Sequence, residues 1–152
     1  MTQPQQLFLL LFSLIGLSGS LYGAWRCKVR KDNLGLVGAF VIYGAFVWAD
    51  IVVFGLFWAV FAFVSILLSD WLLFLFGYSV FWFVRGFGES IYWFNQQFST
   101  IKRNPLRMFF FSKLFNNDEY TIWFIMQIIT QCIAVIAAVL SVYFGRMWFL
   151  SM

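Results

Sequence analysis

The chain contains no histidine, which removes the commonest general base, haem ligand and zinc ligand. Its two cysteines, Cys27 and Cys132, form no Cys-x-x-Cys, so a redox dithiol or thiolate metal centre has no sequence support. Charge is scarce: charged residues make up 11% of the 152 positions, against about 25% in an ordinary soluble domain. Six residues are acidic: Asp32, Asp50, Asp70, Glu89, Asp118 and Glu119. Neither proline falls within the longest apolar run, Leu34 to Val84. No period of about 20–50 residues marks an internal repeat.

What is abundant is apolar surface. Hydrophobic residues reach 63%, with 22 Phe, 8 Trp and 6 Tyr. A chain this short lacks the interior to hide so much of it from water, which excludes a soluble globular domain. A disordered chain would be poor in aromatics and rich in charge. The expectation is an all-α, polytopic integral membrane bundle, a single transmembrane domain over residues 1–152 with about four spans.

Leu7 to Trp25 carries no charge and is about 28 Å long as a helix, enough to cross a bilayer. No Lys or Arg precedes Arg26, so this stretch reads as a retained first span and not as a cleaved leader. Arg26, Lys28, Arg30 and Lys31 then make a basic loop, and Asp32 or Asn33 can cap a following helix. The run from Leu34 to Val84 is interrupted in charge only by Asp50 and Asp70. Ser69-Asp70 is its best turn, with Asp70 capping a helix over 71–98. A second span over 34–68 would be about 52 Å long against a hydrocarbon core of about 30 Å. It must tilt, break near Gly44 or Gly55, or fold as a re-entrant element. A rival division cuts the run at Asp50 and Asp70 into three short spans. Asn104-Pro105 marks a break, and 106–115 is too short to span but suits an interfacial helix. Asn116-Asn117-Asp118-Glu119 announces the last span, over 120–145.

The basic loops 26–31 and 102–113 should share the cytoplasmic or equivalent side, with two spans between them and both termini opposite. Such clusters orient a membrane protein and touch anionic headgroups; nucleic acid is not an expected partner.

A few polar residues need explaining. A carboxylate at Asp50 costs roughly 2.5–3.5 kcal/mol in hydrocarbon. It is a candidate proton- or ion-handling site or, more blandly, a structural aspartate near a helix end. Arg85 and Glu89 lie four apart on one helix face, with Gly86 and Gly88 between them. They read as a cavity-lining pair or as the point where the helix leaves the membrane. Gln127 and Gln131 share a face beside Thr130, and their amides should bond across to another helix. Gly16, Gly19 and Gly23 in the first span, and Ala134, Ala138 and Ser141 in the last, form small-residue stripes suited to helix packing. Trp25, Trp71, Trp93, Trp123 and Trp148 fall near span ends, as an interfacial belt would. Trp48, Trp58 and Trp82 fall inside runs, and the phenylalanines read mainly as lipid-facing bulk. Cys27, beside basic residues, is a candidate for acylation or simply an unmodified thiol.

No cofactor, metal or catalytic constellation is expected. The leading functional expectation is a non-catalytic scaffold or accessory subunit that contacts lipid and other membrane subunits or copies of itself. The alternative is a small oligomeric channel or ion-coupled transporter using Asp50. A lipid-modifying enzyme would have to rely on Asp118-Glu119, which reads better as a helix cap.

Overall fold

In a computed structural model, residues 1–35, 37–101, 112–116 and 118–152 are described. Four α-helices carry the fold: α1 (Gln3–Arg30), α2 (Trp48–Leu67), α3 (Trp71–Phe98) and α4 (Glu119–Ser151). All four are long and apolar enough to cross a membrane, and the described residues contain no strand. Short 3-10 helices occupy Gly38–Tyr43 and Ser112–Phe115. Most of the 106–115 segment, and all of 102–111, lies outside the described residues.

Local chemistry sets most helix ends. The side chain of Gln5 accepts from the Thr2 N–H at 2.8 Å, satisfying a donor at the start of α1. Lys31 ends that helix in the left-handed region, φ 52°. Ser69 adopts the same conformation after α2, and Asp70 Oδ1 accepts the Leu73 N–H at 2.9 Å to open α3. Asp118 Oδ2 accepts the Thr121 N–H at 3.0 Å to open α4. Those bonds to Thr121 hold the Asp118 carboxyl below its ordinary value, since they favour the charged form. The turn at Ser69-Asp70 and the cap at Asp118 thus fall where the sequence places them. Helices α1 and α4 run beyond the expected spans, through Arg30 and Ser151.

The second apolar run does not form one long helix, nor three short spans. Only Trp48–Leu67 is α-helical before Ser69, and Asp50 lies in the first turn of α2 instead of between two spans. The break comes at Gly44, whose φ of 75° is left-handed, a conformation glycine adopts without strain. Asp32-Asn33 caps no helix that follows directly, because Asp32 instead pairs with Arg26. The orphan N–H groups of α2 are met from a distance: Trp48 N–H donates to Gly35 O and Ala49 N–H to Asn33 O, at 3.1 and 3.0 Å. Val37 N–H donates to Phe46 O across the same loop at 3.0 Å. The limbs on either side of the 3-10 helix are therefore tied together, and that helix lays the Phe40 and Tyr43 rings against α1.

The chain divides into two compact units, Met1–Leu75 with Ser151–Met152, and Phe76–Leu150. In the first, α1 and α2 are antiparallel and in one constant register. Ser13 Oγ donates to Ala59 O and Ser20 Oγ to Val52 O, at 2.9 and 2.7 Å. Midway between them Gly16 and Gly55 meet backbone to backbone. Gly23 lies against Trp48 O where α2 begins, yet the Tyr43 ring reaches Gly16. The Tyr43 ring therefore lies about 10 Å farther along α1 than the start of α2, seven residues at 1.5 Å each. It belongs to a short 3-10 element whose last residue, Tyr43, is fully buried. The core is aromatic: Phe12 stacks on Tyr43, while Trp58 and Phe74 meet Phe12 edge-on. These rings are packed inside, in contrast to the lipid-facing role expected of most of the phenylalanines.

In the second unit, α3 and α4 are antiparallel as well. Gly145 packs on the Phe76 ring, Gly86 sits against Thr130 O and Ala134, and Gln97 bonds Gln127. Trp93, Ile122 and Trp123 form a buried cluster near one end. The sequence placed both tryptophans in an interfacial belt, but here they turn towards each other's helix. Nearness to a span end does not fix the direction in which a side chain leaves the helix. Trp25, by contrast, is exposed, with the Arg30 guanidinium 4.9 Å above its ring.

Candidate functional site

Asp50 is one of the two acidic residues in the apolar run Leu34 to Val84. It occupies the third position of α2, after Trp48 and Ala49, where a negative charge favours the helix dipole. Its Oδ2 accepts the Phe46 N–H at 3.0 Å. This reaches back across the helix start, as the acidic member of a capping box does. The carboxylate thus secures the limb after the 3-10 element to the helix it leads into. Its side chain is partly buried.

A charged cluster at the mouth of the same loop escaped the sequence reading. Arg26 forms an ion pair with Asp32, and its guanidinium lies 4.8 Å above the Trp48 ring. One arginine therefore ties the end of α1 to the loop and to the first residue of α2, combining charge pairing with a cation–π contact. Tyr43 and Trp58 escaped it as well. The Tyr43 hydroxyl donates to Phe12 O at 2.7 Å, and Trp58 Nε1 donates to Tyr43 O at 3.2 Å. Nothing local in Val41-Ile42-Tyr43-Gly44 signals either bond, because both partners lie on other elements.

In the second unit Arg85 and Glu89 pair along α3 at 3.0 Å, both side chains mostly buried. Gly86 between them is closely packed, whereas Gly88 faces open space. Asp50 belongs to one unit and Arg85–Glu89 to the other, so they make no common site within either. Gln127 Oε1 accepts from Gln97 Nε2 at 2.6 Å, an amide pair between α3 and α4. Gln131 does not share in it and is exposed. Thr130 and Ser141 turn their hydroxyls onto carbonyls of their own helix, Met126, Gln127 and Ala137.

The small residues divide by neighbour. Gly16, Gly19 and Gly23 are buried against Gly55, Phe40, Ile51 and Trp48. Ala134 is buried beside Gly86, while Ala138 and Ser141 are half-buried. Cys27 and Cys132 are free thiols. Among the described residues, no three histidine, cysteine or acidic side chains come together as a metal site would need. The polar groups of the apolar helices are arranged chiefly as structural ties. No protein-family model, curated protein or solved structure matches the chain.

Proposed function

We propose that this chain is a four-span integral membrane protein that works without catalysis, as a scaffold or accessory subunit of a larger membrane complex. The observation that carries the reading is the use of Asp50. Its carboxylate holds the Phe46 N–H at the head of α2, a structural task for the residue best placed to handle ions. Arg85 and Glu89 support it in the same way, by pairing with each other. Wide apolar faces on all four helices, including Leu14, Val53, Val84 and Val139, suit contact with lipid and neighbouring subunits. In this arrangement the loops after α1 and α3 share the cytoplasmic or equivalent side, because both are basic.

Two measurements test the reading. Single cysteines replacing Lys28 and Arg103, in a chain whose own cysteines are changed to serine, should react with an impermeant thiol reagent from the same side of the membrane. Labelling from opposite sides would dismiss the four-span arrangement.

The second measurement separates the subunit from an ion-conducting alternative, which a re-entrant placement of the 3-10 element beside Asp50 would favour. Ion flux in proteoliposomes and yield of assembled protein are followed for wild type, Asp50→Asn and Asp50→Leu. No flux is expected from any of them. Asn keeps an acceptor oxygen for Phe46, so its yield should stay near wild type. Leu leaves that N–H unmet, at roughly 1–3 kcal/mol, and its yield should fall. A wild-type flux that vanishes in Asp50→Asn, with assembly unchanged, would establish the channel in place of the subunit.

A further inference from the structure

We propose that α4 pairs with α4 of a second copy of this chain, along a seam centred on Gln131. The inference rests on the membrane-spanning reading above. Gln131 lies about 18 Å from Glu119 and about 22 Å from Arg146 along the helix, too deep for its amide to reach either interface. Around it, the polar side chains of the span are satisfied. Gln127 bonds Gln97, and the hydroxyls of Thr130 and Ser141 bond carbonyls of their own helix. Gln131 alone among these presents its amide outward, and no described residue hydrogen-bonds it. An amide facing hydrocarbon with no partner is costly, and the usual remedy is a hydrogen bond to another helix.

The residues in line with Gln131 say which helix. Phe124, Ile128, Gln131, Val135, Ala138 and Val142 follow one another at alternating spacings of four and three. At about 100° per residue they fall within a stripe about 80° wide. Phe124, Ile128, Val135 and Val142 are exposed large apolar side chains. The stripe lies about a quarter-turn from the Thr130–Ala134–Gly145 face that packs on α3. Such a heptad seam, with β-branched Ile128, Val135 and Val142 seven apart, suits a left-handed two-helix pair.

A second copy is the partner that this chemistry fits. Two copies inserted in one membrane share an orientation, so a twofold axis along the membrane normal brings Gln131 opposite Gln131 at equal depth. A carboxamide carries both donors and an acceptor, so the two amides complement each other, as an isologous interface requires.

The test places single cysteines in the full-length chain after Cys27→Ser and Cys132→Ser, and oxidises native membranes with copper phenanthroline. Ile128→Cys, Val135→Cys and Val142→Cys should give covalent dimers. Ile129→Cys and Ile136→Cys, also exposed but outside the stripe, should give few. In detergent, Gln131→Leu should raise the dimer dissociation constant by about 3- to 10-fold, and Gln131→Asn by less. Equal crosslinking at 129 and 136, no dimer at 128, 135 or 142, or adducts there with a different protein would overturn the pairing. Alkaline carbonate extraction of the same membranes distinguishes the two readings. A chain released by carbonate overturns the spanning arrangement and the pairing with it, whereas a retained chain without seam crosslinks overturns the pairing alone.

Discussion

Gly55→Leu is expected to separate α1 from α2 and to abolish most of the folded protein. A Cβ built on Gly55 would stand 2.5 Å from Gly16 O, and one built on Gly16 would stand 2.9 Å from Gly55 O. Both obstacles are backbone, so no rotamer change relieves the overlap and the helices themselves must part. The consequences spread along a constant register. Ser13–Ala59 and Ser20–Val52 flank the crossing, and the Tyr43 ring lies against Gly16. Overpacking alone costs about 1–3 kcal/mol, and each interhelical bond lost adds about 0.6 kcal/mol.

The effect should be graded along the stripe. Gly19→Leu meets the side chains of Phe40 and Ile51, which can yield in part. Gly23→Leu meets Ile51 and also Trp48 O, 3.2 Å away. Gly88→Leu, on α3, meets nothing within 4 Å and should be neutral or slightly stabilising, since leucine favours helix over glycine. Thermal unfolding in mild detergent measures all four. Equal midpoints for Gly55→Leu and Gly88→Leu would show that the crossing is not at Gly16 and Gly55.

The parts of this fold that could be read in the sequence are those whose chemistry is local. Asp70 and Asp118 cap helices that start one residue later, through bonds spanning three residues. A short polar residue ahead of an apolar run is enough to announce that. The 3-10 element Gly38–Tyr43 is different. Its tip turns at Gly44, one of several glycines, with Gly35, Gly38 and Gly55, in an apolar run that only Asp50 interrupts between them. Hydropathy has no period there to distinguish them. The α2 start is capped by carbonyls of Asn33 and Gly35, more than ten residues upstream, and no window of local sequence contains both ends. The small-residue stripe of α1 was visible as a pattern; Gly55, with Ala59 four positions on, makes a matching small-residue face on α2, but nothing local says that this face meets Gly16. At the candidate site the residue types were legible and their employment was not. Asp50 stood out by its charge, but the Phe46 N–H that it holds depends on a loop that only the fold defines.

Removing the Tyr43 side chain should release the 3-10 element Gly38–Tyr43 from α1 while leaving the α1–α2 crossing in place. Tyr43 and Trp58 are both fully buried, and between them they fix the tip three ways. The hydroxyl donates to Phe12 O, the Tyr43 carbonyl accepts from Trp58 Nε1, and the ring stacks on Phe12 with centroids 4.4 Å apart. Tyr43→Phe deletes only the hydroxyl bond and keeps the ring, so it should cost about 1 kcal/mol. Tyr43→Ala deletes the bond and the ring, leaving a void beside Gly16. Truncations of buried aromatics cost about 3–5 kcal/mol, more than the few loop bonds across 33–47 can absorb. The segment should therefore open before the helices unfold, as weakly held elements do. Limited chymotrypsin digestion in detergent reads this directly, because Phe40 lies within the 3-10 element, half-buried against Gly19, and cleavage there requires the segment to unwind from α1. Wild type and Tyr43→Phe should resist cleavage at Phe40, and Tyr43→Ala should be cut there while α1 and α2 remain intact. Equal resistance in all three would mean that the carbonyls of Asn33 and Gly35 and the Asp50 carboxylate hold the element without its aromatic tip.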